Sequence, residues 1–460
     1  MTQPLVEPAS VSSSESMDAG RKERLRIGNR WLAAIAACLL ILGLVATVAR
    51  IHKKYQTPGP FDHERQGLCD FHNGVYFPAM ALMRGESPYG QPYADKYPVA
   101  RQIPFFSPVV LALHAPLAML PIHAAEVIHT MIQIALLLGI AWLATITSGF
   151  GRRFDVWLCV AAMMIFSRGG HISIFTGYFT LLLVMATYLA VIWAKDRPVL
   201  SGWMLLIVSG KPTFILPLGF LMLARGNIKA LLIGAAMSIG AALLLMGWLA
   251  HHEGQGDLMA GAKQLLTQVS GTQEVHRGMD DESPVHSWTR LDAFAVISKW
   301  RGANPGELAH LLTMFVFLAI PMYVLRRGTV ADQDDGIAGV TGTILMTALL
   351  TSLYHQSYDS LLLVAPMTGA VAAILPAWKR LSLSWRATLL LLMGCPLMNY
   401  LSTRMFLTRF ELPEFCVKVL TSLNGVCLLV AMVIACVLAW RQLQRPTSPC
   451  TDVSLDSEVS

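Results

Sequence analysis

The chain reads as an all-α polytopic membrane protein, on three observations. Of its 460 residues 54% are hydrophobic and only 14% are charged, against roughly 25% charged in an ordinary soluble domain. Its mean hydropathy is +0.53. Apolar runs matching the about 20 helical residues needed to cross about 30 Å of hydrocarbon recur from 31 to 440, leaving little chain for a soluble domain. The net charge of +6 does not point to nucleic acid. The basic residues sit in short clusters beside apolar runs, where lysine and arginine flank membrane helices in any case.

The first 20 residues are rich in Ser, Glu and Pro and read as disordered, so 1–30 is expected to be a disordered cytoplasmic tail. Arg21, Lys22, Arg24, Arg26 and Arg30 then precede the apolar run 31–49. A signal peptide has an apolar core of roughly 7–15 residues, and this run is longer, so it reads as an uncleaved first helix. The positive-inside rule puts the N-terminus in the cytoplasm, although Arg50, Lys53 and Lys54 weaken the asymmetry.

Further apolar runs lie near 105–120, 124–147, 156–168, 172–194, 199–224, 228–250, 308–326, 337–353, 360–376, 385–403 and 418–440. Together they predict about 12 transmembrane helices in one domain, 31–440. A second cytoplasmic tail, 441–460, follows. Both termini then lie inside a plasma (inner) membrane, with the loop 51–104, the loop 251–307 and the turn 354–359 outside. Arg326-Arg327, Lys379-Arg380 and Arg441 with Arg445 fall inside, as the rule expects. Arg152-Arg153 and Lys195-Asp196-Arg197 fall outside. Either this region departs from the rule, or one of the short runs, 105–120 or 156–168, does not fully cross.

The loop 51–104 is dense in proline and aromatics. Within it, 70–84 predicts a short interfacial helix with Phe71, Val75, Leu82 and Met83 toward lipid and Gly85 ending it. The loop 251–307 is polar, with Asp280-Asp281-Glu282; it either caps a site or is a flexible connection. The eight cysteines show no CxxC and lie mostly in apolar runs, where a thiol behaves as a small hydrophobe. They imply neither a metal site nor a disulfide framework.

Four places hold candidate chemistry. Asp70 opens the interfacial segment, either as a helix N-cap or as a general base whose partial desolvation tunes its proton affinity. Lys211, within Gly210-Lys211-Pro212, sits centrally in an apolar run; it either faces a cavity or partner or snorkels to one interface. In 354–359, His355 and Asp359 are four apart, one helical turn, and either ligate a metal, bind phosphate or belong to a solvated turn. His171, at a run boundary, is either structural or catalytic. GxxxxGK[ST], GxSxG and HExxH are all missing, which argues against ATP, serine and zinc hydrolysis.

Asp70-Phe71, Tyr76, Ala79, Gly85 and Pro88-Tyr89, then Tyr97-Pro98, Pro108, Ala115-Pro116-Leu117-Ala118, Leu120-Pro121 and Gly210-Lys211-Pro212, resemble in order and spacing glycosyltransferase family 87 of the GT-C superfamily. Val99 stands where that pattern has a second proline, and His171 where it usually has glutamine. The resemblance covers roughly 65–230. It implies a GT-C-like bundle and an integral-membrane hexosyltransferase, mannose-like in substrate. Such an enzyme moves a sugar from a polyprenyl-phosphate donor to a hydroxyl of a glycolipid or polysaccharide on the outer face, with inversion. Asp70 matches the acidic base of the first outer loop. Tyr76, Tyr89, Lys211, His355, Asp359 and His171 are the expected substrate-binding positions. Membrane lipids are the other partners, and no nucleic acid or cofactor is implied. A divalent metal has no dense carboxylate cluster to support it, only Asp62, Glu64, Glu86 and Asp95 in the same loop. Two other classes fit the composition: a transporter or lipid flippase using Lys211 and Asp359 as intramembrane charge partners, and a surface-polysaccharide polymerase or ligase taking diphosphate-linked oligosaccharides.

Overall fold

The computed structural model describes residues 29–62, 64–99, 107–279 and 282–444. The expected tails 1–30 and 441–460 fall largely outside these residues, as do Asp280 and Asp281. Among the described residues the chain is helical, with two isolated β-bridges and no sheet. Among the described residues five helices are long and apolar enough to cross a membrane: Arg30–Lys53, Ile122–Phe150, Ile228–Glu253, Glu307–Val330 and Glu414–Leu443. Phe154–Phe166 and Arg168–Thr176 form a sixth candidate, bent by 68°. The bend sits at Ser167, whose backbone is extended and whose hydroxyl accepts from the Gly170 amide at 3.0 Å. Ser167 thus starts a new helix and cannot continue the old one.

Among the described residues twelve regular crossings do not form, because three apolar runs make two hairpins. The run 199–224 divides into Pro198–Val208 and Pro212–Ala224. Arms of 11 and 13 residues reach about 17 and 20 Å, short of the about 30 Å a crossing needs. The break follows from Pro212, which lacks an amide donor and holds Lys211 extended at φ −120°, ψ 103°. The runs 337–353 and 360–376 make a second hairpin. Val340–Ser352 rises, and Ser357–Leu363, a 3₁₀ turn, with Val364–Ala372 returns. The feet of this hairpin touch: a Cβ on Gly369 would meet the Ala338 carbonyl oxygen at 1.8 Å.

Long-range contacts sort the helix ends. The Asn29 amide donates to Asp155 Oδ2 at 3.2 Å, Gly149 lies against Ile374, Arg225 pairs with Asp334, and Gln442 Nε2 donates to the Ala377 carbonyl at 3.2 Å. These contacts define a terminal end holding both ends of the described chain. At the opposite, loop end, Tyr55 donates to Glu126 at 2.6 Å and the Ser87 amide donates to Glu253 at 3.0 Å.

This sorting resolves the conflict over the basic clusters. Pro108–Ala118 begins at the first hairpin's tip, where the Ser107 amide donates to the Gly210 carbonyl at 3.1 Å. It finishes at the loop end, where Tyr76 donates to the Leu120 carbonyl at 2.7 Å. The run 105–120 therefore does not cross. The directions reverse from there to the hairpin 199–224, which reverses them again, so Arg152-Arg153 and Lys195-Asp196-Arg197 join Arg30 at the terminal end while 251–307 stays at the loop end.

The helix over 69–83 forms, with a π turn at His72–Tyr76 between Cys69–Phe71 and Phe77–Met83. Its expected lipid face does not. Phe71, Val75 and Leu82 are buried in protein and only Met83 of the four is exposed. Phe71 stacks on His129 at 4.5 Å and packs on Gly177, where any Cβ would lie 2.6 Å from that of Phe71. The segment is thus an inserted core element. The loop 251–307 is no loose connection either: Leu258–Arg277 and Ala293–Arg301 are helices, and the Leu291 amide donates to the His355 carbonyl at 2.9 Å.

Candidate functional site

The tips of the two hairpins meet through one ion pair. Lys211 Nζ lies 3.0 Å from Asp359 Oδ2 and 3.3 Å from Oδ1, with both side chains buried. A lysine in an apolar interior is tolerated only when its charge is matched. Three rings complete its surroundings: Phe214, Tyr358 and Tyr178, with centroids 4.9, 5.4 and 5.6 Å from the ammonium. Local structure sets the acid in place. Asp359 and Gln356 form a capping box at the start of the 3₁₀ turn, in which the Gln356 amide donates to Asp359 Oδ2 at 3.0 Å. Lys211 therefore neither snorkels nor sits mid-helix; it occupies the break between two helices.

His355 is fully buried beside this pair, which excludes the solvated-turn reading. It precedes the 3₁₀ turn, so the pairing with Asp359 is not one turn of helix. Its Nδ1 lies 3.7 Å from Asp359 Oδ2, beyond hydrogen-bond reach. Both ring nitrogens, and the Ser357 hydroxyl, lack a hydrogen-bond partner among the described residues. Buried polar groups are nearly always satisfied, so this cluster retains capacity to hold a polar ligand.

Asp70 is not the cap of its helix. Leu68 holds that position with φ 61°, and Asp70 is the second residue of the first turn, half-buried, accepting from the Cys69 thiol at 3.5 Å. Its carboxylate is within electrostatic reach of the Tyr178 and Tyr358 hydroxyls, and Asp359 and Glu282 also act on Tyr178. The Tyr178 and Tyr358 rings lie 5.1 Å apart. Asp70 and the Lys211–Asp359 pair thus both act on one tyrosine pair electrostatically, although they are far apart in sequence.

The loop 251–307 closes the cluster. Glu282 bonds Tyr354 and, at 3.2 Å, Gln356 Nε2. Arg290 clasps Asp292 at 2.8 and 2.9 Å and lies 4.8 Å over the Tyr354 ring. The sequence reading missed Tyr178 and Arg290. Tyr178 follows the Gly177 break inside an apolar run, and Arg290 stands two residues before an acid; each is a weak signal alone.

The remaining predicted residues make their contacts elsewhere. Tyr76 bonds the Leu120 carbonyl. Tyr89 is buried where its loop docks on Leu258–Arg277, next to the Gly90 amide that donates to Thr272 at 2.8 Å. His171 lies in a helix, 3.1 Å from Thr47 Oγ1 and 2.7 Å from Arg50, and ties Arg168–Thr176 to Arg30–Lys53. A second buried carboxylate, Glu126, was missed altogether. It holds Tyr55 at 2.6 Å, His72 at 2.7 Å and His123 at 2.9 Å. Among the described residues no three His, Cys, Asp or Glu side chains converge as metal ligands.

The model of glycosyltransferase family 87 matches residues 105–352, more than half of the chain. The match contains Tyr178 and Lys211 and ends before His355 and Asp359. No curated protein and no solved structure matches.

Proposed function

The chain belongs to glycosyltransferase family 87, and on that premise we propose that it moves a mannose-like hexose from a polyprenyl-phosphate donor to a hydroxyl of a glycolipid or polysaccharide. Transfer takes place at the outer face of the plasma membrane. The observation that supports this reading is that a half-buried acid, Asp70, acts electrostatically on the same two tyrosines whose rings flank the buried cation Lys211. In the reaction, the Asp70 carboxylate takes the proton of the acceptor hydroxyl as that oxygen attacks the anomeric carbon. The new glycosidic bond forms as the bond from that carbon to the phosphate oxygen breaks, with inversion. Polyprenyl phosphate leaves as a stable anion and needs no strong general acid. Lys211 holds the phosphate, and a fixed cation in a water-poor site is worth far more than one in solution. Asp359 holds Lys211 in place between turnovers, and His355 offers a further polar contact to the phosphate or sugar.

A carrier with Lys211 and Asp359 as charge partners would contain the same ion pair, but family membership favours transfer over transport. The direct test is a proteoliposome assay with radiolabelled polyprenyl-phosphate-mannose and a mixed glycolipid acceptor. Asp70→Asn is expected to lower turnover by about 10²–10⁴-fold with the folded yield unchanged. Near-wild-type turnover in that variant removes Asp70 as the base. Product from diphosphate-linked donors alone moves the protein to the polymerase or ligase class.

A further inference from the structure

The loop end holds a polar cavity, about 150 Å³ in volume, between the segment 84–97 and the helix Leu258–Arg277. A cavity of about this size admits a six-membered ring. Its charged groups are already matched. Glu86 holds Lys96 Nζ at 2.7 Å and the Tyr97 hydroxyl at 2.8 Å. Glu253 accepts from the Ser87 amide at 3.0 Å, from Gln264 at 2.7 Å and from Gln268 Nε2 at 3.1 Å. Two neutral groups remain. The Tyr93 hydroxyl and Gln268 Oε1 have no hydrogen-bond partner among the described residues, although the side chains are only 2% and 8% exposed. The Glu253 contact turns the Gln268 amide nitrogen away, so its carbonyl is left as an acceptor. The Tyr93 hydroxyl is left as a donor. The Tyr93 and Tyr97 rings, stacked at 5.2 Å, add an apolar flank.

We propose that this cavity is a carbohydrate subsite that binds one neutral pyranose unit of the acceptor, resting on the transferase reading given above. An anion would meet two carboxylates, and a cation would find both already engaged. A sugar ring supplies hydroxyls that donate to Gln268 Oε1 and accept from Tyr93, and a C–H face that suits an aromatic flank. The cavity opens beside Lys96, more than half exposed, at the far end of the helical stretch 69–83 from Asp70. That stretch spans about 20 Å, so the bound unit lies several sugars from the reacting hydroxyl and selects an extended acceptor.

Saturation-transfer NMR on the full-length protein in detergent tests this, with methyl α-mannopyranoside and methyl β-galactopyranoside as probes. At least one probe should bind wild type, and its signal should fall at least five-fold in Tyr93→Phe and in Gln268→Leu. Tyr93→Phe deletes only an unpartnered hydroxyl, so the protein stays folded. In the transfer assay both variants should raise the acceptor KM and leave kcat and the donor KM unchanged. Failure of wild type to bind either probe, or equal binding by wild type and both variants, overturns the subsite. Asp70→Asn should bind the probes like wild type, so loss of the transferase reading and loss of the subsite give different results.

Discussion

Two buried carboxylates differ in what surrounds them. Glu126, at the loop end, spends both oxygens on Tyr55, His72 and His123. Asp359, at the hairpin tips, holds Lys211 and the Gln356 amide, but His355 beside it keeps two unsatisfied nitrogens. The first is a knot that ties the loop 51–104 to Ile122–Phe150 and leaves one nitrogen, His72 Nδ1, without a partner among the described residues. The second is a partly filled cluster between two short hairpins. Buried polar groups left without partners are costly, so the two nitrogens of His355 and the Ser357 hydroxyl left open at the tips, against the single His72 Nδ1 at the knot, separate a site from a strut.

The largest effect should come from breaking the tip pair. Lys211→Met leaves Asp359 buried and unpaired, at a cost of about 3–5 kcal/mol, visible as a collapse in folded yield or melting temperature. Adding Asp359→Leu should restore stability while transfer stays at least about 100-fold down. Recovery of transfer in the double variant would make the pair merely structural. Glu126→Gln should show the opposite pattern, with about 1–3 kcal/mol lost in a thermal melt and turnover per folded molecule unchanged. His355→Phe removes two unpaired nitrogens, so stability should hold within about 1 kcal/mol while turnover falls. A loss of stability without loss of turnover would assign His355 to the strut class. Smallest of all, His171→Phe should loosen one helix contact by about 1 kcal/mol or less and leave turnover unchanged.

The all-helical class was legible because hydropathy is a local, additive property of the chain. The hairpins were not, since an apolar run such as 199–224 has the same composition whether it crosses or turns back. The one written signal was Ser209-Gly210-Lys211-Pro212, which reads equally as a bend. Lys211, His355 and Asp359 stood out as polar residues in apolar surroundings. Their assembly did not, because the Lys211–Asp359 pair closes across 148 residues. Glu126 stayed hidden for the same reason: Tyr55 and His72 lie 71 and 54 residues away, and its own position looks like an ordinary helix boundary. Asp70 was found from its pattern, but its lipid-facing neighbours were misplaced because a short amphipathic stretch looks alike against lipid and against protein. The close approach at Gly177, which draws Phe71 inward, is a tertiary event with no local mark.

Transfer from a lipid-linked donor requires the hairpin tips to receive its phosphate. The most direct measurement is the binding of polyprenyl phosphate, the leaving product, to the full-length protein in nanodiscs, comparing wild type, Glu126→Gln and the Lys211→Met/Asp359→Leu variant. Affinity should be equal in the first two and at least about ten-fold weaker, 1.4 kcal/mol, in the third. Equal affinity in all three would contradict the placement of the donor phosphate at Lys211.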